Sequence, residues 1–389
     1  MLLFDATHTS HTRAQSGIQR VCRSLFAELG REQPVAGICY DPYLASWRPL
    51  VSAELHHLLP GRSATGSRRA QWPLHRRVAG SARRLLGLTN ELPMADALLC
   101  PELFSAAVGA RLPELFASVR GPRVAIFYDA IGLKLPELTP PGTVARLPAY
   151  LRELRQFDGV AAISEDSAAS LRDYWRWLGD SGVPPVQAIP LGVDPLPAVA
   201  TAGAAPAIAR ILCVSTIEGR KNHLSLLEAC EALWQGGLEF ELQLFGLARA
   251  DTAGTALARL AELQRRGRPV LHRATAADAE LHAAYRECTF TVYPSLNEGF
   301  GLPVLESLQH GKPCVCLGTG ALAELTHGGG CVALESVTSA HLASAIRHLL
   351  QHPGDLAALA EAARQRPFKT WQDHAHELTA WMKTLRCRR

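Results

Sequence analysis

No run of about 18 uncharged apolar residues occurs anywhere in the chain, which excludes a membrane-spanning helix. Excess charge of one sign is also scarce. The 40 Lys and Arg residues stand against 36 Asp and Glu, a net of +4, too little for a dedicated nucleic-acid binder. Ten cysteines are present, but none forms a Cys-x-x-Cys pair, so the spaced ligands of a zinc site are missing. Most lie in apolar runs such as Ile211-Leu-Cys213-Val214 and read as buried, reduced thiols of a cytosolic protein. His8 and His11 near Asp5 fit no familiar metal spacing. A Gly-x-Gly-x-x-Gly fingerprint after the first strand is absent, against a nicotinamide enzyme. A Gly-x-Ser-x-Gly elbow is absent too, against a hydrolase of that design. The opening Met1-Leu-Leu-Phe-Asp5 has neither a basic flank nor a long apolar stretch, and reads as a strand, not a signal peptide.

What is present is a well-mixed chain of 389 residues, 48% apolar and 20% charged. At roughly 150 residues per domain, that is enough for two or three cores. Short apolar runs at 1–6, 35–40, 96–100, 123–128, 158–163 and 186–190 alternate with amphipathic stretches at 17–29, 143–157 and 164–178. The pattern resumes with runs at 210–216, 240–246, 269–272, 288–294, 312–317 and 331–334, and helical stretches at 222–235 and 303–310. Such alternation predicts parallel α/β sheets covered by helices on both faces. Between the two series, residues 195–208 carry three prolines, many small residues and no charge, as a linker would. The expected organisation is a first domain over 1–195, a linker over 196–208, a second domain over 209–370 and a terminal helix over 371–389. That helix presents Trp371, Leu378, Trp381 and Leu385 on one face.

One segment departs from the average composition. Arg62 to Arg84 holds seven arginines and no acid, with Trp72, Leu74, Val78, Leu85 and Leu86 interleaved. It reads either as a solvated helical face or loop, or as a patch for anionic lipid head groups or an anionic acceptor. No nucleic-acid motif accompanies it.

Two segments carry the chemistry. In 288–313 a strand ends at Pro294, a glycine-containing loop follows, and Pro303 sits in the first turn of a helix. Free backbone donors and the positive end of the helix dipole then meet at one point, which suits a diphosphate. Glu298 and Glu306 flank that point and suit sugar hydroxyls, so the matching ligand is a nucleotide-sugar. In 211–224 a buried strand runs into a polar loop with adjacent Arg220 and Lys221, before a helix that Asn222 is expected to cap. Two fixed cations there would neutralise a leaving diphosphate without a metal.

These residues carry a family resemblance. Glu298-Gly-Phe-Gly-Leu-Pro-Val-Leu-Glu306 resembles the Glu-x7-Glu motif of retaining glycosyltransferases of the GT-B fold, glycosyltransferase family 4. Ser215-Thr-Ile-Glu-Gly-Arg220-Lys221-Asn222 is similar to their phosphate-binding loop, and Ile189-Pro-Leu-Gly192-Val193-Asp194 to the strand closing their first domain. The resemblance implies two Rossmann-like, doubly wound parallel-sheet domains facing an interdomain cleft. It assigns Arg220 and Lys221 to the diphosphate and Glu298 to the donor sugar. It assigns the amides of Gly299, Phe300, Gly301 and Leu302 to sugar and phosphate, and Glu306 to the ribose. Thr216, Ser295 and Asn297 would line the pocket.

In the first domain many relatives carry a glycine-rich loop and a histidine near the sugar. This chain has Ser16-Gly17-Ile18-Gln19-Arg20, with one glycine, and Asp129 where the histidine is expected. Some bacterial polysaccharide transferases share that aspartate version. Gly17 is therefore assigned to the donor, Asp129 to donor or acceptor hydroxyls, and Arg20 and Asp5 to the acceptor.

The resemblance implies a metal-independent, cofactor-free, retaining hexosyltransferase. GDP-mannose is the first choice of donor, with dTDP-rhamnose and UDP-hexoses next. The acceptor would be a lipid-linked or oligosaccharide glycan of the cell envelope, met in the cytoplasm or at the inner membrane face. A nucleotide-sugar epimerase and a catalytically silent GT-B scaffold are the competing readings.

Overall fold

The computed structural model describes residues 1–14, 17–59, 70–88, 90–196 and 208–387. They cluster into two units. One comprises Met1–Asp129, Ala145–Gly192 and the chain from Lys369 onward, the other Ala130–Val144 and Val193–Phe368. Most of the predicted linker, 197–207, and the first third of the arginine segment, 62–69, lie outside the described residues.

The first unit holds β1 (Leu2–Asp5), β2 (Val35–Asp41), β3 (Ser46–Pro49), β4 (Ala97–Cys100), β5 (Arg123–Phe127), β6 (Gly159–Ala162) and β7 (Val186–Ala188). They form one sheet in the order β3-β2-β1-β4-β5-β6-β7. Leu2, Leu3, Phe4, Leu98, Leu99 and Val124 are all buried. Side chains on both faces of these strands are inside, which is why the strands read as continuous apolar runs and not as alternating ones.

Only β3 runs antiparallel, pairing with β2 at the sheet edge. It was not expected from the sequence, because Ser-Trp-Arg-Pro puts a charge and a proline where a strand needs apolar, β-prone residues. The structure supplies the reason it forms. Arg48 is buried and donates to Asp41 at 2.9 Å and to both oxygens of Glu54 at 2.8 and 2.7 Å. Pro49 is tolerated because the strand is an edge.

The carboxy-terminal helix Trp371–Met382 also belongs to this unit. Its start is a capping box in which the Thr370 hydroxyl accepts from the Asp373 amide at 3.1 Å and the Asp373 carboxylate accepts from the Thr370 amide at 2.9 Å. It packs on the Gly17–Glu32 helix. The chain beyond it closes on Gly159, where a Cβ would lie 2.7 Å from Leu385 and 2.8 Å from Trp381.

The second unit holds β8 (Ala209–Val214), β9 (Phe240–Phe245), β10 (Val270–Arg273), β11 (Phe290–Tyr293), β12 (Cys314–Leu317) and β13 (Cys331–Leu334), in the order β10-β9-β8-β11-β12-β13. Every pairing is parallel. Leu226, Leu242, Leu260, Phe290, Val315 and Ile346 anchor its core. The chain works outward from β8 to β10, then returns to lay β11 beside β8, with Phe290 opposite Ile211. The winding direction therefore reverses between β8 and β11. At such a reversal the two following segments leave to opposite faces and open a crevice at the strands' carboxyl ends. The first unit reverses in the same way between β1 and β4.

Eight of the ten cysteines are buried, Cys331 is half-buried and Cys387 exposed, and all ten are free thiols. Among the described residues, no helix is long and apolar enough to cross a membrane.

Candidate active site

The loops that leave β8 and β11 are the two segments singled out by sequence, and they bond directly to each other. The Leu296 amide donates to the Arg220 carbonyl at 2.9 Å, and the Ser295 hydroxyl lies 3.3 Å from the same carbonyl. After β8 the chain makes a short 3-10 turn, Gly219–Lys221, which points consecutive basic side chains toward the second loop. Asn222 then takes a left-handed conformation, φ 54°. It stands at the start of the His223–Gln235 helix, as expected, but its side chain does not cap. The left-handed backbone turns its amide away to donate to the Val337 carbonyl at 2.8 Å.

Glu298 is the hub. One carboxylate oxygen accepts from Lys221, from Tyr293 at 3.0 Å and from Ser295 at 2.5 Å, while the other accepts from Arg220 at 3.1 Å. Burial alone would raise the Glu298 pKa. The Lys221 and Arg220 charges and the donated hydrogen bonds outweigh it and hold the group at about 2. Burial lowers the Lys221 pKa even though Glu298 opposes the shift. Lys221 also donates to the Tyr293 hydroxyl at 2.5 Å. Arg220 is more exposed and further paired with Glu218 at 2.8 Å. His223, buried behind the turn, contacts the Ser215 hydroxyl at 3.2 Å and is held near pKa 3 by burial and by Lys221, so it adds no charge at neutral pH.

The second loop ends at Gly301, φ 111°, which starts the Leu302–Gln309 helix. A Cβ there would lie 2.7 Å from Leu322 and 3.0 Å from Leu325, and the backbone sign itself favours glycine. Pro303 falls in the first helical turn, as its residue type predicts. Among the described residues, no acceptor takes the amides of Phe300, Gly301 or Leu302. The helix thus begins with unpaired donors, one turn before Glu306.

Glu306 is fixed from behind by Tyr285, whose hydroxyl donates to it at 2.9 Å. Tyr285 is buried, and its ring stacks on His310 at 5.2 Å between centroids. His310 in turn contacts His282 at 3.1 Å and is lowered to about pKa 4 by burial and by that neighbour. Sequence reasoning missed both Tyr285 and Tyr293. Tyr293 had a signal, since it is the last residue of β11, where a side chain reaches the crevice. Tyr285 had none, because its partner is 21 residues away on another helix.

Arg220, Lys221, Ser295, Asn297 and Glu298 are joined by hydrogen bonds, Asn297 through its carbonyl, which accepts from Arg220 at 3.3 Å. Gly299 to Leu302 continue from them along the chain, and Thr216 lies in the loop after β8. Gly17, Arg20, Asp5 and Asp129 belong to the other unit. There Gly17 opens a helix, and a Cβ on it would meet nothing within 4 Å. Arg20 and Asp129 are half-buried.

Asp5 ends β1 fully inside, accepting from the Thr7 amide at 3.0 Å and the Thr7 hydroxyl at 2.6 Å. Beside it is a carboxylate the sequence reading overlooked. Glu102, two residues past β4, accepts from the amides of His8 and Thr9, both at 2.7 Å. The rule that ligands meet a parallel sheet at the carboxyl ends of its strands would have found it.

His11, Cys39 and Glu54 bring potential metal-ligand atoms within 4.8 Å of one another. The donor set is instead an ion-pair network. Arg48 takes both Glu54 oxygens, and the Trp72 ring stacks on His11 at 3.6 Å.

Residues 208–352 match the family model of Glycosyl transferases group 1. Arg220, Lys221, Glu298 and Glu306 all fall inside the matched residues.

The chain is 25% identical over 336 residues to the serotype-specific mannosyltransferase WbdA of Escherichia coli, covering 81% of this chain and 38% of that protein. It thus spans about two fifths of that relative's length. It is 28% identical over 237 residues to the MMP alpha-(1->4)-mannosyltransferase of Mycolicibacterium hassiacum, covering 59% of this chain and 54% of that one. Among solved structures it is similar to sucrose-phosphate synthase from Thermosynechococcus elongatus, TM-score 0.65 at 16% identity over 98% of each chain. It is also similar to Anabaena Alr3699/HepE in complex with UDP and glucose, TM-score 0.65 at 18% identity over 99% of each. The fold, two α/β units each built on a parallel sheet but for the antiparallel edge strand β3, is GT-B.

Proposed function

We propose that the protein transfers a hexose, mannose from GDP-mannose first, to a hydroxyl of a cell-envelope polysaccharide or its lipid-linked precursor, with retention and without a metal. The observation that carries this reading is the bonded cluster of Arg220, Lys221 and Glu298 at the β8/β11 reversal, in the same loop as the unpaired amides of Phe300, Gly301 and Leu302. Fixed cations and backbone donors there suit a diphosphate. Glu306 on the same helix suits a ribose. Mannosyltransferase relatives support mannose, and the UDP bound in Alr3699/HepE keeps uridine donors in consideration.

In this reading the bond from the sugar's anomeric carbon to the diphosphate oxygen breaks, and one to the acceptor oxygen forms on the same face. The departing diphosphate, stabilised by Arg220 and Lys221, takes the acceptor's proton. Glu298 is a poor candidate for a covalent nucleophile, because four side-chain donors already surround its carboxylate and hold its basicity down. Its role is to fix the two cations and offer the sugar a charged wall. The first 195 residues would hold the acceptor, with Asp129 and Arg20 touching its hydroxyls and any phosphate. Asp5, being buried, would act through the Thr7 loop.

The test is a thermal-shift panel of GDP, UDP, dTDP and their hexose conjugates, followed by product analysis with and without a glycan acceptor. A ligand at 100 times its dissociation constant raises stability by about 2.7 kcal/mol. Absence of a shift with every nucleotide would end the proposal, and turnover without any acceptor would move it to an epimerase.

A further inference from the structure

Tyr293 ends β11 and is 3% exposed. A phenylalanine would fill the same space, so the hydroxyl is the feature that needs a reason. That hydroxyl is spent on an ion pair. It accepts from the Lys221 ammonium at 2.5 Å and donates to Glu298 Oε1 at 3.0 Å. Lys221 donates to the same Glu298 oxygen, which closes a triangle of three buried groups. An ammonium carries three N–H donors on a flexible stem. Tyr293 and Glu298 take two of those on Lys221, and among the described residues no acceptor takes the third. Two fixed bonds leave that last N–H one direction.

The hydroxyl also bears on the charge of the amine. Lys221 is 8% exposed. Burial lowers its pKa, Glu298 opposes the fall and Arg220 adds to it. The ionisable groups around it are Arg220 and Glu218 on its own turn, His223 on the next helix, Cys213 on β8, Tyr293 on β11 and Glu298 in the loop beyond. His223 is neutral, as described above. Burial pushes the Cys213 thiol up to about 12 and the Tyr293 hydroxyl well above its usual value, so neither is ionised near neutral pH. The charge of Lys221 therefore depends on two carboxylates set against burial and Arg220. An oxygen that accepts from the ammonium adds directly to the charged side of that balance.

We infer that Tyr293 is a positioning residue for the transfer, whose hydroxyl keeps Lys221 charged and leaves one ammonium N–H for the diphosphate of the donor. It acts through Lys221 and touches neither sugar nor phosphate. The inference rests on the donor-binding reading of the β8/β11 site.

The experiment pairs two measurements on the full chain, wild type and Tyr293→Phe, between about pH 6 and 10.5. One is calorimetric titration of GDP and of UDP. The other is carbon NMR of the Lys221 ε-carbon without ligand, its signal identified by its absence in Lys221→Arg. Tyr293→Phe keeps the ring and its packing, so the fold is retained. A hydrogen bond to a charged group is equivalent to roughly one to two pH units. The Lys221 midpoint should therefore move down by about one unit or more in Tyr293→Phe. Nucleotide binding should be about three- to tenfold weaker at pH 7 and should fall away from a correspondingly lower pH. A tyrosine that serves only the fold would lower the melting temperature and leave the Lys221 midpoint in place. An unmoved midpoint, or Tyr293→Phe affinities equal to wild type across the range, overturns the inference while the donor reading stands. A wild type that binds neither nucleotide overturns both.

Discussion

Both sheets reverse their winding at an inner seam, β8/β11 in one unit and β1/β4 in the other, yet the two seams carry opposite electrostatics. At β8/β11 one carboxylate, Glu298, is pinned by Lys221 and Arg220 and held at about pKa 2. At β1/β4 two buried carboxylates, Asp5 and Glu102, lie close enough to repel. Burial, with Glu102's charge added, pushes Asp5 up to about 7. Backbone topology decides where a ligand can meet a parallel sheet, and the side chains at that place decide its charge. The second unit's seam is suited to an anion. The first repels one, which fits a partner that offers hydroxyl groups.

The largest expected effect breaks the cationic seam. Arg220→Ala combined with Lys221→Ala should lower transfer from a nucleotide-sugar by about a thousandfold, followed by nucleotide release. A loss under tenfold would remove the pair from the reaction.

Next is Glu298→Gln, which strips the charge from between two cations and leaves Lys221 buried with a neutral partner. Stability should fall by about 3 kcal/mol in urea unfolding, and a nucleoside diphosphate should restore more of it than it adds to the wild type. Because the folded Glu298 pKa is depressed, its contribution is present above about pH 4.5 and lost as pH falls toward 2. An unchanged unfolding midpoint would contradict the ion network.

Asp5 should behave in the opposite sense. Its folded pKa is raised, so its contribution is complete below about pH 4 and lost as pH rises through 7. Asp5→Asn should flatten that slope and raise the melting temperature at pH 8 by about 2–4 °C. No gain at pH 8 would show that burial and the neighbouring charge do not raise Asp5 as described.

The smallest effect is Tyr285→Phe. Losing the hydrogen bond to Glu306 should raise the donor KM about three- to tenfold with kcat nearly unchanged. A lower melting temperature without a KM shift would make Tyr285 merely structural.

The seams also separate what the sequence revealed from what it concealed. Strand runs such as Ile211–Val214 and Thr291–Tyr293 were legible because burial on both faces leaves an unbroken apolar stretch. Glu298, Glu306, Arg220 and Lys221 were legible because they sit in loops next to glycine and proline signals. β3 was hidden because a salt-bridge network formed by Arg48, Asp41 and Glu54 stabilises it, and those partners are not adjacent in sequence. The direct pairing of Glu298 with both cations was hidden for the same reason. The two loops are about 75 residues apart, and only the β8/β11 register brings them together.

The most direct test of the anion-binding seam is calorimetric titration of GDP and UDP into the wild type and the Arg220→Ala/Lys221→Ala variant. Saturable binding of at least one nucleotide, weakened about a hundredfold or more in the variant, is the predicted result. Equal affinity in the two proteins, or no binding to either, would contradict it.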